Sequence, residues 1–111
     1  MTRYFALIYY VGPGFAEARA PHREPHLRKV FESSRRGELV YGGALGDPPD
    51  RALLVFRAED GGTAKRFAKT DPYVTSGLVE RWEVQPWKVV CGLREGDADP
   101  LAGEPGLQAI R

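Results

Sequence analysis

Arg3-Tyr4-Phe5-Ala6-Leu7-Ile8-Tyr9-Tyr10-Val11 is a β-strand by composition, rich in aromatic and branched residues and stopped by Gly12-Pro13-Gly14. Side chains on a strand alternate between faces, and here both parities are apolar. Both faces of the sheet that contains it therefore need cover. Helices can cover one face. A second subunit is the economical cover for the other, so a homodimer or higher homo-oligomer is expected.

The elements that follow define the rest of the fold. Residues 15–24 are mixed in character and carry Pro21, which reads as a loop or a short helical lead-in. Pro25 suits a first helical position, and Leu27, Val30 and Phe31 then recur with helical spacing. Gly37 supplies a left-handed residue that ends this helix. Residues 38–45 form a second strand, interrupted by Gly42-Gly43 in the manner of a bulge or of a close approach to a ligand. Gly46-Asp47-Pro48-Pro49-Asp50 is a turn, and residues 52–56 are a third strand, so these two strands make a hairpin. Ala64, Phe67 and Ala68 mark the apolar stripe of a second helix over 60–69. Asp71 then caps one short helical turn over 72–77. The last strand spans 79–90, with Pro86 arguing for an edge or a bulge.

Strand, helix, strand, strand, helix, strand is the ferredoxin-like βαββαβ order, an α+β fold with helices on one face of an antiparallel sheet. The opposite face is expected to carry apolar side chains of the first strand together with Trp82 or Val84. The 111 residues make one domain, assigned to 1–91, followed by a tail over 92–111 that is loose or docked on a neighbouring subunit.

Composition narrows the function classes. Sixteen basic and fifteen acidic residues leave a net charge of +1, with no basic stripe interleaved with exposed aromatics, so no nucleic acid or membrane partner is expected. Cys91 is the single cysteine, which excludes an internal disulfide framework. No apolar run reaches membrane-spanning length and no leader precedes the first strand; a cytoplasmic protein is the expectation.

Few residues can do chemistry. His26 lies near the second residue of the helix begun by Pro25, where the positive end of the helix dipole disfavours an imidazolium. A neutral imidazole near pH 7 can accept a proton. Asp71 stands at the end of the second helix, on the same side of the sheet, and can orient that imidazole or act as its partner acid. A packed histidine and a capping aspartate are the plain alternatives. Arg19 and Arg23 precede His26 and suit an anionic substrate, although a solvated loop explains them equally well. Tyr10 and Tyr73 are the tyrosines to look for in a pocket. His22 and His26 with Glu24 or Asp71 could hold a metal in principle, but Glu24 is misplaced for a His-Glu-x-x-His motif and Pro25 argues against one helix through both histidines. Gly12-x-Gly14 lacks the rest of a dinucleotide fingerprint, and no serine occupies a nucleophile elbow. Neither a metal nor a cofactor is expected.

The ordered set formed by residues 3–8, 19–27 with its His26-Leu27 pair, Gly37-Glu38-Leu39 with Gly42-Gly43, Asp71-Pro72-Tyr73-Val74, Gly77-Leu78-Val79 and Glu83-Val84-Gln85-Pro86-Trp87 resembles the YCII-related (YciI-like) family over about residues 2–90. This chain has Ala44 after Gly43 where the family often has proline. The resemblance implies a ferredoxin-like fold assembled as a dimeric α/β barrel, with His26 and Asp71 as an active-site pair. It also implies acid/base elimination or isomerisation as the reaction class, since one relative removes hydrogen chloride from a chlorinated hydroxyquinol. Two readings result. One is a small cofactor-independent lyase or isomerase acting on a small organic molecule, with His26 moving a proton, Asp71 orienting it, and Arg19, Arg23, Tyr10 and Tyr73 binding substrate. The other is a non-catalytic small-ligand-binding or accessory domain that uses the same pocket.

Overall fold

A computed structural model describes residues 3–92. Their elements run β1 (Arg3–Val11), α1 (Phe15–Ala18), α2 (Ala20–Arg35), β2 (Leu39–Leu45), β3 (Arg51–Ala58), α3 (Gly62–Thr70), α4 (Pro72–Thr75) and β4 (Val79–Trp87). The strands form one antiparallel sheet in the order β2-β3-β1-β4, so the strand that both parities marked as interior lies in the middle. The topology is ferredoxin-like. The expected tail falls outside the described residues from position 93 onward.

Phe5, Leu7, Tyr9 and Val11 of β1 are buried, and Leu7, Tyr9 and Val11 pack with Leu54 and Phe56 of β3 in the core beneath the helices. Ala64, Phe67 and Ala68 form the buried face of α3, and the Phe67 ring meets Phe56 edge-on at 5.2 Å between centroids. Each large apolar side chain buried here contributes roughly 1.5–3 kcal/mol. At the end of α2 the amides of Gly37 and Glu38 turn back to the carbonyls of Ser34 and Ser33, with Gly37 at φ +79°. This is the left-handed cap that the glycine was expected to provide.

Four expectations need correction. The sheet is open and is not closed into a barrel. The strands β2 and β4 each pair on one side only among the described residues, and four strands are too few to curl around a filled interior. Second, α2 begins at Ala20 and not at Pro25. Pro21 takes the early position that tolerates a missing N–H, while Pro25 lies inside the helix. One helix consequently runs through both His22 and His26. Third, the inward side of α2 is made by His26, Val30 and Ser33, while Leu27 and Phe31 stay half-exposed. Starting the helix earlier does not rotate a residue. Rather, His26 and Ser33 can face inward because each has a polar partner there.

The fourth correction concerns the open face of the sheet. Trp82 and Val84 lie opposite Tyr9 and Leu7 and pack against the core beneath the helices. The open face instead takes Ala6, Ile8 and Tyr10 of β1, Leu53 and Val55 of β3, and Arg81, Glu83, Gln85 and Trp87 of β4. It is therefore apolar at the centre and charged along β4. Pro86 sits on that edge strand, as its missing donor requires. The register slips between Leu39 and Tyr41 of β2, close to the paired glycines.

Candidate functional site

Asp71 ends α3 with extended backbone and begins α4, where its side chain accepts from the amide of Tyr73. This is an ordinary helix cap. Three features take it beyond one. The carboxylate is wholly buried. The Tyr9 hydroxyl donates to its Oδ2 at 2.7 Å, and the Tyr73 amide donates to its Oδ1 at 3.0 Å. The third donor is His26, whose Nδ1 lies 2.8 Å from Oδ1 and 3.0 Å from Oδ2.

Each of the three side chains comes from a different element. Tyr9 points down from β1 on the helix-facing parity, His26 comes from the inward side of α2, and Asp71 from the α3–α4 junction. With the carboxylate accepting, Nδ1 is the protonated nitrogen of a neutral imidazole, and Nε2 carries the free lone pair. No buried side-chain nitrogen or oxygen among the described residues lacks a hydrogen-bond partner. Nε2 has none, so it reaches open space, consistent with a side chain that is 12 % exposed.

The faces of the imidazole are held as well as its edge. Tyr73 stacks on it with centroids 3.7 Å apart and planes 8° from parallel. Phe15 meets Tyr73 edge-on at 5.4 Å. Tyr73 thus holds one face of the ring while Asp71 holds its Nδ1 edge.

The remaining residues singled out from the sequence are distributed around this centre. Arg23 is exposed and donates from Nη1 to the Tyr73 hydroxyl at 3.3 Å. Arg19 lies farther out, with its guanidinium 5.7 Å from the Phe15 ring centroid. Tyr10 is not brought to the site. It faces the opposite side of the sheet, with the Arg81 guanidinium 3.8 Å above its ring. Its neighbour Tyr9 is there instead, and strand parity was the signal for it: Tyr9 shares a face with Phe5, Leu7 and Val11, and a buried phenol needs an acceptor. An open depression of about 520 Å3 runs along the outer side of α2 past Leu27 and Phe31. Arg23 belongs to both this depression and the His26 surroundings. No group of three or more His, Cys, Asp or Glu side chains among the described residues is arranged to hold a metal ion.

The dipole argument for His26 does not survive the longer helix. His26 is the seventh residue of α2, beyond the first turn where the dipole acts. Asp71 positions the ring instead, through its contact with Nδ1.

Burial, followed by the charge and hydrogen bond of Asp71, holds the Tyr9 phenol far above the ordinary tyrosine range. The folded protein therefore keeps this proton at a pH where the unfolded chain releases it. Stability attributable to Tyr9 is fully present below about pH 10 and is lost as pH rises above that value, at about 1.4 kcal/mol per pH unit for one proton. Urea unfolding measured from pH 8 to 11.5 should show this alkaline slope, and Tyr9→Phe should reduce it. An identical slope in the variant would contradict the buried Tyr9–Asp71 bond. The same variant should lose about 1.5–3 kcal/mol at neutral pH, the usual value of a hydrogen bond to a charged group.

The family model described as "YCII-related domain" matches residues 2–88. Among curated proteins, none matches. Solved structures share the fold at low identity. The 5-chloro-2-hydroxyhydroquinone dehydrochlorinase of Burkholderia phenoliruptrix, solved with 2,5-dihydroxybenzoquinone, is 22% identical with a TM-score of 0.64, covering 77% of this chain and 93% of its own. The 30S ribosomal protein S6 of Thermotoga maritima is 15% identical with a TM-score of 0.53, covering 78% of this chain and 89% of its own. A NIPSNAP family protein of Agrobacterium tumefaciens is 18% identical with a TM-score of 0.50, covering 91% of this chain and 99% of its own. A dehydrochlorinase and a ribosomal protein on one fold show why the site, and not the fold, must carry the functional argument. Among the described residues no helix is long and apolar enough to cross a membrane.

Proposed function

The chain belongs to the YCII-related domain family, and on that premise we propose that it is a cofactor-independent enzyme that moves a proton on a small organic molecule. The observation that carries this reading is the state of His26: Nδ1 committed to a buried carboxylate, Nε2 open. That is the arrangement a general base needs.

In the proposed reaction Nε2 removes a proton from an acidic O–H or C–H of the substrate. The imidazolium that forms is balanced by Asp71 and faced by Tyr73. In an isomerisation the proton returns to a different atom of the same molecule. In an elimination the electron pair of the broken bond forms the new double bond, the leaving group departs with its own pair, and the proton later passes to solvent. Arg23, held at the Tyr73 hydroxyl, and Arg19 beside Phe15 would offset negative charge developing on a substrate oxygen. Chlorinated hydroxyquinols, the substrate type of the Burkholderia dehydrochlorinase, are the first compounds to try. A panel of these and of enolisable keto acids, followed by chloride release and by exchange of substrate hydrogen with deuterium, tests the proposal. A ligand that binds tightly and is recovered with neither chloride loss nor exchange would favour the non-catalytic binding module.

The assembly proposed with this function is a homodimer or higher homo-oligomer that covers the open sheet face. Ile8 and Leu53 lie opposite one another there, and Tyr41 and Trp87 are exposed at 66% and 46%. Leu53→Glu should shift the sedimentation coefficient toward that of a monomer. Wild-type protein that sediments only as a monomer at micromolar concentration would rule the assembly out.

A further inference from the structure

A cleft of about 350 Å3 lies between the C-terminal half of α2 and the outer side of α3. Four cations line it: Lys29 and Arg36 from the α2 side, Arg66 and Lys69 from α3. One acid, Glu38, faces the same space and is already engaged. It accepts from Arg36 Nε at 3.2 Å, from Arg36 Nη2 at 3.1 Å and from the buried Ser33 hydroxyl at 3.5 Å.

The other three cations make no ion pair with a carboxylate among the described residues. The Lys29 ammonium is held 4.9 Å from the Phe67 ring centroid, and Arg66 Nη2 donates to the Thr63 hydroxyl at 3.4 Å. Arg28, Arg51 and Arg81, by contrast, each have a carboxylate within 3.4 Å. Three like charges lining one cavity repel each other, and a multiply charged anion relieves them together. A guanidinium, two ammonium groups and the Thr63 hydroxyl are donors suited to phosphoryl oxygens. The volume is at the small end of ligand sites.

We propose that the α2–α3 cleft binds a phosphate dianion, free or as the ester of a small molecule. The cleft is separate from the His26–Asp71 pair but adjoins it: Lys29 is one turn beyond His26 on α2, and Thr70 in the wall precedes Asp71. The proposal does not rest on the chemistry assigned to His26.

Calorimetry at low ionic strength with inorganic phosphate and with phenyl phosphate tests it, alongside amide chemical shifts in the same titrations. Saturable binding is expected, with shifts at Ser33, Thr63, Arg66 and Thr70. The pair Arg66→Gln with Lys69→Gln should weaken it about tenfold or more. Arg28→Gln with Arg35→Gln removes the same charge from the opposite side of α2 and should leave affinity within about twofold. Phenyl phosphate binding more tightly than phosphate identifies an ester as the ligand, and equal affinity identifies the free anion. The proposal is overturned by no saturation up to about 10 mM, or by an equal loss in the control pair, which would mean general charge attraction.

Discussion

His26→Gln lowers turnover by roughly 10²–10⁴-fold, the usual contribution of a positioned general base, on whichever compound of the panel proves to be a substrate. Glutamine retains a donor that can approach Asp71, so the buried carboxylate is not left without its third partner. What it lacks is an atom that takes up a proton near neutral pH. The loss should therefore fall on kcat, with KM changed little, because binding through Arg23 and the aromatic residues is untouched. Thermal unfolding should stay within a few degrees of the parent. Unchanged turnover in a folded His26→Gln protein would exclude His26 as the base and would leave Asp71 as no more than a helix cap.

The second large effect separates structure from chemistry at Asp71. Asp71→Ala removes the shared acceptor of three donors in a fully buried place: the Tyr9 hydroxyl, the Tyr73 amide and His26 Nδ1. Stranding them should cost about 3–5 kcal/mol. That is a large part of the roughly 5–15 kcal/mol by which a domain is stable, so this variant should unfold at much lower urea concentration. Asp71→Asn behaves differently. Its amide oxygen can still accept from the Tyr73 N–H, and the Tyr9 hydroxyl can rotate to accept from the new amide hydrogens, so much of the fold's stability is retained. The negative charge is gone, however, so the imidazolium formed when Nε2 takes up a proton loses its counter-charge. Turnover should fall about 10²-fold or more in a protein that remains folded. An alanine variant as stable as the parent, or an asparagine variant as active, would each contradict the geometry.

The sequence disclosed the strand order and the identity of the pair, and the physical reasons are visible in particular residues. The continuous apolar and aromatic run of β1, the Ala64–Phe67–Ala68 stripe and the Asp71-Pro72 cap are local signals, and each matches an element of the structure. The start of α2 was misread because Pro25 satisfies the rule for a first helical position, whereas Pro21 satisfies it too and is the one used. That error carried over to His26, which was assigned to a helix dipole it does not feel. Trp82 or Val84 is expected on the open face, yet both lie under the helices, because period two leaves parity open until one residue is anchored. Pairing with Tyr9 and Leu7 anchors it. Tyr9 itself was hidden by its neighbour: two adjacent tyrosines look alike in sequence, and only the side of the sheet tells the packed donor from the exposed ring. The barrel expected from the family resemblance is not found: the sheet is open, with β2 and β4 each paired on one side only among the described residues.

Two of the three groups that meet at the Asp71 carboxylate come from far along the chain. Tyr9 and Asp71 are 62 residues apart, and His26 and Asp71 are 45. No hairpin or single helix can bring them together, so the cluster closes only when β1, α2 and the α3–α4 corner have all docked. Contacts of such long range are slow to form, because chain entropy is spent before they repay it. During refolding the open Nε2 therefore acquires its counter-ion among the last events. Recovery of any activity that depends on it should trail the return of helical circular dichroism and coincide with the burial of Tyr9. Partly folded chains, which carry both residues but not their contact, would be chemically silent, and the His26–Asp71 bond would serve as the molecule's own record of completed folding.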